Sequence, residues 1–507
     1  MKHHALLFSS NIRPNDRSTG SHRIATFLRG EGWDVEVIDF AAHWKLEELK
    51  ELLKSRVSSN TVFFGFSCFI SYWNNTLTEL THHMKRNYPN IKILLGGSSI
   101  AFTPAPKENI DYWVDGFGEK ALLEVVKSIV GNTPSHLMFD PSSFGDKKLI
   151  KAIKSYPAYP LDSYKNILEK RDFLKPYEWL TTEFSRGCKF SCTFCNFPIL
   201  GVKGDNSRTQ DDFEEEMKHN YDNFGIKNYF IADETFNDRT EKIIKFADVV
   251  DKLNFKPFFS GFIRADLLVI HKDSWDPLIK LGMGGHFYGV ESFNHASAKA
   301  IKKGMNPDKL KSGLLEVKNY FLERMFYRGT ISLIAGLPFE TKQSLLETEQ
   351  WLNDNWQDQN AMIWPLQIED IDYQNDYTNI SEFGKNILNF GIKKMKNYDE
   401  ESLTKIENLW DIEAKFDDYL GDSFHRKELK WEHETMNIIE ATAIAGKMQK
   451  SISFNVLPNF SLDKPSMIIG QEVDFPAMRY FDVRLLRKNT KLRIKFLQDY
   501  INNKLSM

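Results

Sequence analysis

The chain has 507 residues, more than one ordinary core accommodates, so two or three domains are expected. Hydrophobic residues make up 42% and charged residues 27%, which excludes a disordered chain. Lys plus Arg total 66 against 69 Asp plus Glu, a net charge of −3, so neither a dedicated nucleic-acid surface nor a membrane surface is expected. The longest apolar stretch, Val62 to Trp73, is broken by Gly65, Ser67 and Ser71 and falls short of the ~20 residues of a membrane helix. Met1 to Phe8 has no signal-peptide h-region, and a cytoplasmic protein is expected. Four cysteines make no disulfide framework: Cys68 stands alone, while Cys188, Cys192 and Cys195 fall within eight residues.

In chain order, short apolar runs alternate with amphipathic segments, which predicts an α/β fold with a parallel sheet. Strands are expected at Ala5–Phe8, Asp34–Asp39, Val62–Phe66, Ile91–Leu95 and Tyr112–Val114. Helices are expected at Ser21–Gly30, Leu46–Ser55, Thr76–Asn87 and Glu119–Ile129. Glycines stand at the strand ends, where an open parallel sheet binds ligands; tight turns would use them equally well. This first domain is placed at residues 1–132. Residues 133–178 carry Pro134, Pro141, Pro157 and Pro160 and read as a linker or strap.

A second alternation fills residues 179–382. Its strands are expected at Thr181–Ser185, Asn228–Ala232, Phe258–Ile263, His286–Val290, Gly329–Ile334 and Ala361–Pro365. Helices are expected at Asp211–Phe224, Arg239–Leu253, Pro307–Phe321 and Lys342–Asn353. Six such units predict a partial (β/α)6 barrel of TIM type, with its chemistry at the strand C-termini. Residues 383–507 read as a mostly helical region, with Trp410, Trp431, Met436 and Met448 as apolar positions, and are expected to cap the barrel.

The run Phe184-Ser-Arg-Gly-Cys188-Lys-Phe-Ser-Cys192-Thr-Phe-Cys195 directly follows a predicted strand. Three thiolates on one short loop suit three irons of a 4Fe–4S cluster, leaving the fourth iron open. A zinc site or three buried thiols are the alternatives. Structural zinc wants four ligands, and the nearest downstream histidine, His219, lies on a predicted helix.

The spacing C-x3-C-x2-C, with Phe194 before the last cysteine, resembles the radical S-adenosylmethionine (SAM) superfamily. The likeness continues in Tyr229-Phe-Ile-Ala-Asp233-Glu234-Thr, in Gly261-Phe-Ile-Arg264-Ala-Asp266 and in Gly289-Val-Glu291-Ser292, followed by Lys303-Gly304. It ends in Gly336-Leu-Pro338-Phe-Glu340-Thr341, each motif at a predicted strand end. The resemblance implies a cluster on Cys188, Cys192 and Cys195. It also implies S-adenosylmethionine contacts from Phe194, Asp233, Glu234, Arg264, Glu291, Ser292, Gly336 and Pro338. Asp233, Glu234, Arg264 and Glu291 read equally well as ion-paired scaffold. The chemistry implied is reductive cleavage of the cofactor to a 5′-deoxyadenosyl radical, in a cavity closed to water.

In this superfamily an α/β domain ahead of the barrel resembles a cobalamin-binding domain. The residues that carry the likeness are Gly20, Gly32 to Asp39, Gly65-Phe-Ser67, Gly96-Gly97 and Asp115-Gly-Phe-Gly118-Glu119. Cobalamin contacts are accordingly implied for Gly65, Ser67, Gly96, Gly97, Gly118 and Glu119. The D-x-H-x-x-G motif is absent, with Ser18 where its histidine would fall. His22 on a predicted helix is expected to pack rather than ligate, and Cys68 to behave as a small buried hydrophobe.

The resemblance implies a cobalamin-dependent methyltransferase acting on an unactivated carbon of an unidentified substrate. A cobalamin-free radical SAM enzyme is the alternative, performing rearrangement, cyclisation or methylthio transfer and using the first domain for recognition. A non-catalytic metal-binding protein is a third reading, which the motifs of the later strands oppose. The partners implied are a small-molecule or peptide substrate and an electron donor such as flavodoxin or ferredoxin. No hydrogen-relaying catalytic side chain stands out. Lys427, Lys430, His433 and Glu434 around Trp431 read as a solvated helix face.

Overall fold

The computed structural model describes residues 2–9, 17, 19–67, 75–97, 109–115, 117–131, 148–151, 165–176, 178–195, 206–368, 386–395, 429–452 and 483–507. The expected positions Ser18, Cys68, Trp410 and Lys427 lie outside these residues.

The first sheet is built from β1 (His4–Ser9), β2 (Asp34–Ile38), β3 (Thr61–Ser67), β4 (Lys92–Gly96) and β5 (Tyr112–Asp115). Between them run α1 (Thr19–Gly30), α2 (Leu46–Arg56) and α3 (Asn75–Asn87), and α4 (Glu119–Gly131) follows β5. The strands are near-continuous apolar runs because both faces are covered. Leu6, Phe8, Phe64 and Phe66 face α2 and α3, whereas Ala5, Leu7, Val35 and Phe63 face α1 and α4. These strands lie in the order β2-β1-β3-β4-β5, all parallel, so the direction of winding reverses between β1 and β3. Crevices at such a reversal take ligands at the strand carboxyl ends.

The expected linker needs correcting. β6 (Lys148–Lys151) lies inside it and pairs in parallel with β5, so the first sheet extends past residue 132. Two flanking lysines around Leu149-Ile150 suit an edge strand and hide the apolar signal.

The second sheet starts at β7 (Trp179–Thr182), and β8 (Ser185–Arg186) pairs with β9 (Asn206–Ser207) to bracket the cysteine loop. Then come α5 (Gln210–Phe224), β10 (Asn228–Ile231), α6 (Thr240–Val250), β11 (Phe258–Ile263), α7 (Ala265–Ile270) and α8 (Trp275–Leu281). β12 (Met283–Glu291), α9 (His295–Ala300), α10 (Pro307–Leu322), β13 (Arg328–Ala335), α11 (Lys342–Asn355) and β14 (Asn360–Pro365) complete it. All six long strands are parallel and stand in sequence order from β7 to β14, the partial barrel expected. Thr341 caps α11, its hydroxyl accepting from Ser344 N at 3.1 Å.

The described C-terminal residues, expected to cap the barrel as a mostly helical region, divide between two places. β15 (Lys393–Lys394), β16 (Trp431–His433) and β17 (Met436–Asn437) form a small antiparallel sheet, so the expected helix face around Trp431 is strand and turn. Trp431 is fully buried and donates to Leu366 O at 2.8 Å. α12 (Ile438–Ser451) covers the barrel's edge, where Gln449 exchanges hydrogen bonds with Ala361 O and Ile363 N at 3.1 and 3.0 Å. That occupies backbone groups an open edge would leave bare.

α13 (Val483–Ser506) goes elsewhere and docks on the first domain. Phe496, Leu497, Tyr500 and Ile501 join the core beneath α2 and α3. Buried Lys504 donates to Glu36 Oε1 and to Val37 O, each at 2.9 Å. Arg17 ties this assembly to the barrel, meeting Asp39 and Glu178 at 2.7 Å each, with its guanidinium 4.9 Å from the Tyr500 ring. Burial alone would raise the Asp39 carboxyl, but the facing charges of His22 and Arg17 hold it well below its ordinary range. His22 is therefore a buried packing residue, its Nε2 2.9 Å from Asp39, as expected.

Candidate cofactor site

The cysteine loop leaves the C-terminal end of β7 and is pinned by one buried carboxylate. Asp233, just past β10, accepts from Phe184 N at 2.7 Å, Ser185 N at 2.8 Å and Ser185 Oγ at 2.7 Å. Burial pushes its pKa up to about 6 against the opposing pull of Lys242 and these donors. Through these three hydrogen bonds Asp233 positions the start of the loop.

Cys188 Sγ lies 3.1 Å from Thr235 Oγ1, and Cys192 Sγ lies 3.6 Å from Arg264 Nη1. Cys195 N donates to Cys192 O at 3.1 Å, closing a turn between the second and third cysteines. All three are half-buried and outside any disulfide. Among the described residues no three His, Cys, Asp or Glu side chains converge as ligands of a single ion. Thiolates that each take a different iron stand further apart than that. His219 offers no zinc ligand here, since its Nε2 lies 2.8 Å from Leu168 O. The donor set of three thiols beside cationic Arg264 therefore fits an anionic iron–sulfur cluster.

Glu234 in the turn after β10, Arg264 directly after β11 and Glu291 as the last residue of β12 stand at the C-terminal ends of three neighbouring strands. Glu234 accepts from Gly187 N at 3.3 Å, and burial, then the charge of Glu183, pushes its pKa up to about 8. It is a carboxyl poised to take a cationic ligand. Glu291 instead meets Lys303 Nζ at 2.9 Å and sits at φ 67°, a left-handed conformation costly for a side-chain residue. Gly289 lies beneath this pair, and a Cβ there would stand 2.9 Å from Glu291 Oε1 and 3.0 Å from Lys303 Nζ, so a side chain would press on the ends of both. Within these strands, Phe230, Phe262 and Phe287 stack edge to face at 5.3 and 5.2 Å, with Phe262 45% exposed.

Four of the expected cofactor contacts, Ser292, Gly336, Pro338 and Phe194, make contacts within the chain. Ser292 Oγ donates to Glu340 Oε1 at 2.7 Å, and Glu340 Oε2 accepts from Gly336 N at 2.8 Å. Burial pushes the pKa of Glu340 up to about 7 against these donors. Gly336 has φ 91°, and a Cβ there would clash with Trp431, so glycine is needed for packing. Pro338 O accepts from Ser297 Oγ at 2.8 Å. Phe194 packs against the barrel core with Lys303 Nζ 5.7 Å from its ring.

In the first domain, Gly65 is likewise a packing glycine: a Cβ there would meet Leu7 Cδ2 at 2.5 Å. A Cβ on Gly118 would stand 3.3 Å from Ile24 Cδ1 and 3.8 Å from Val114 Cγ1. Gly97 has φ 118°, which only glycine adopts readily, and Gly96 and Ser67 end β4 and β3 in register. Glu119, expected at cobalamin, accepts from Arg186 Nη2 at 2.8 Å. Arg186 Nε also donates to Glu183 at 2.8 Å, and Glu183 receives Arg23 of α1. The Arg186 guanidinium lies 4.0 Å from the Phe117 ring. Arg23, Glu183, Arg186 and Glu119 thus form one ionic joint between the first domain and the segment leading into the cysteines. Arg23 and Glu183 went unnoticed in the sequence; an acidic residue one position past β7 was the available signal.

The family model for the radical SAM superfamily matches residues 182–352, and that for the B12 binding domain matches residues 18–126. The chain carries a radical SAM domain and, ahead of it, a B12-binding domain. These domains imply a 4Fe–4S cluster, S-adenosylmethionine and cobalamin as cofactors. Cys188, Cys192 and Cys195 would hold the cluster of the radical SAM domain. Relatives include an anaerobic magnesium-protoporphyrin IX monomethyl ester cyclase of Synechocystis sp., 25% identical over 45% of this chain and 47% of its own length. An uncharacterized methyltransferase of Pyrococcus horikoshii is 23% identical over 64% of this chain and 70% of its own. The match thus spans about half of the cyclase. Among solved structures, the radical SAM methyltransferase TsrM of Kitasatospora setae superposes with TM-score 0.60 at 15% identity, over 78% of this chain and 79% of its own. The cobalamin-dependent radical enzyme OxsB superposes with TM-score 0.55 at 18% identity, over 77% and 56%. At such identities these two show the shared fold.

Proposed function

We propose that the chain is a cobalamin-dependent radical SAM methyltransferase acting on an unactivated carbon. The observation that carries this reading is the Arg23–Glu183–Arg186–Glu119 joint, which fastens the B12-binding domain directly to the segment preceding Cys188. Two cofactors that must act on one carbon have to face one cavity, and this joint sets that distance. The cofactors supply radical formation and the methyl group; the chain supplies position and shielding. Asp233 holds the cysteine loop to β10, Glu234 waits for a cationic group, and Lys303 fixes Glu291 at the rim. Phe230, Phe262 and Phe287 give the concave face an apolar wall that disfavours water.

The reading includes a cytoplasmic enzyme, supported by a reductively generated radical and by the absence of a membrane-length apolar helix among the described residues. Its electron donor is a small redox protein such as flavodoxin or ferredoxin. The test is incubation of the reconstituted holoenzyme with a cell extract and S-adenosylmethionine carrying a deuterated methyl group. Methyl transfer gives 5′-deoxyadenosine, S-adenosylhomocysteine and a labelled product together. 5′-Deoxyadenosine without S-adenosylhomocysteine or label would instead support cobalamin-independent rearrangement or cyclisation, and a label gained together with a sulfur atom would support methylthio transfer.

A further inference from the structure

We infer that Arg264 is a positioning residue for cluster reduction, keeping the cluster's potential high through a hydrogen bond to the sulfur of Cys192. The inference rests on the cluster reading of the three cysteines. Arg264 follows β11, and its backbone is fixed by Asn237, which accepts from Arg264 N at 2.9 Å and donates to Arg264 O at 3.0 Å. Its guanidinium is aimed by two partners. Nε and Nη2 grip the carboxylate of Asp266 at 2.9 and 3.0 Å, and the plane lies 3.7 Å from the ring centroid of Phe190 in the cysteine loop. One edge remains, and its Nη1 reaches Cys192 Sγ at 3.6 Å.

A cluster becomes more negative when it accepts an electron from an external reductant, and no bond is made or broken at Arg264 in that step. A donor and a fixed positive charge at a ligating sulfur favour the reduced form, which raises the potential. Arginine keeps its proton at every working pH, so the effect is permanent. Asp266 cancels part of the charge but sits on another edge of the guanidinium, leaving the cationic edge toward the sulfur. The sequence had placed Arg264 on S-adenosylmethionine, and that is the competing role.

The test is an anaerobic redox titration of the reconstituted full chain with titanium(III) citrate, followed by electron paramagnetic resonance. Arg264→Gln, Arg264→Lys and Asp266→Asn are compared with wild type, with iron content and S-adenosylmethionine affinity measured alongside. The expected result is a more negative potential in Arg264→Gln, an intermediate one in Arg264→Lys and a less negative one in Asp266→Asn. Full iron content with an unchanged potential in Arg264→Gln overturns the inference. So does lost S-adenosylmethionine affinity at unchanged potential, which returns Arg264 to the cofactor. Should Arg264→Gln assemble no cluster, Asp266→Asn decides: a shift supports the inference and no shift overturns it. A wild-type chain that forms no cluster removes the underlying reading itself, and with it the inference.

Discussion

Arg186 donates from Nη2 to Glu119 Oε1 at 2.8 Å, across the boundary between the two α/β domains, with both side chains buried. Removing one member of a buried pair strands the other, at a cost of about 3–5 kcal/mol. Glu183 still faces Arg186, so Glu119→Gln is expected near the lower end of that range. Calorimetry should show a lower and broader unfolding transition as the domains lose their shared joint. An unchanged transition would mean that the pair contributes nothing to domain docking.

Glu234 makes a pH prediction. Its folded pKa of about 8 stands above its ordinary value of 4.5, so the native state holds a proton that the unfolded chain releases. Stability from this group is fully present below about pH 4.5 and is lost as pH rises toward 8 and beyond. The cofactor-free Glu234→Gln variant is expected to be more stable than wild type at pH 8.5, by a few kcal/mol at most, and equal near pH 4. Binding of cationic S-adenosylmethionine near pH 7 should release a proton in wild type but not in Glu234→Gln. Calorimetric titration in two buffers of different ionisation enthalpy measures that release.

Gly65 separates packing from ligand contact. Gly65→Ala drives a methyl against Leu7, and overpacking of this kind costs about 1–3 kcal/mol. The denaturation midpoint should fall while hydroxocobalamin affinity stays close to wild type. Lost corrinoid affinity at unchanged stability would restore Gly65 to the ligand site.

Lys504 anchors α13 from the opposite end of the chain. Lys504→Met leaves Glu36 facing only Arg56, at 3.1 Å. The helix is expected to become accessible to protease, and thermal stability to fall. A protease-resistant variant of wild-type stability would show that the apolar face of Phe496, Leu497 and Ile501 suffices.

Strands with strong apolar runs are legible to within three residues at either end, and Phe258–Ile263 matches its expectation at both ends. Parallel strands covered on both faces leave that signature unmixed. Lys148–Lys151 escaped because a short edge strand flanked by charges has no such run. The cysteine spacing carried the cluster site because three ligands on one loop are local in sequence. The Arg23–Glu183 pair was not legible, since charge identifies a residue and not a partner 160 positions away. Asp233, Ser292 and Gly336 were located at the right strand ends, yet their hydrogen bonds turn toward neighbouring loops. Motif position tells where a residue stands, and packing decides which way it faces.

The account stands most directly on the metal content of the full chain after anaerobic reconstitution with iron, sulfide and hydroxocobalamin. About four irons with stoichiometric cobalt are expected in wild type, and the cluster absorbance should be lost in Cys192→Ala while cobalt is retained. A wild-type chain without cobalt would contradict the two-cofactor reading, and a cluster unchanged in Cys192→Ala would contradict its ligand set.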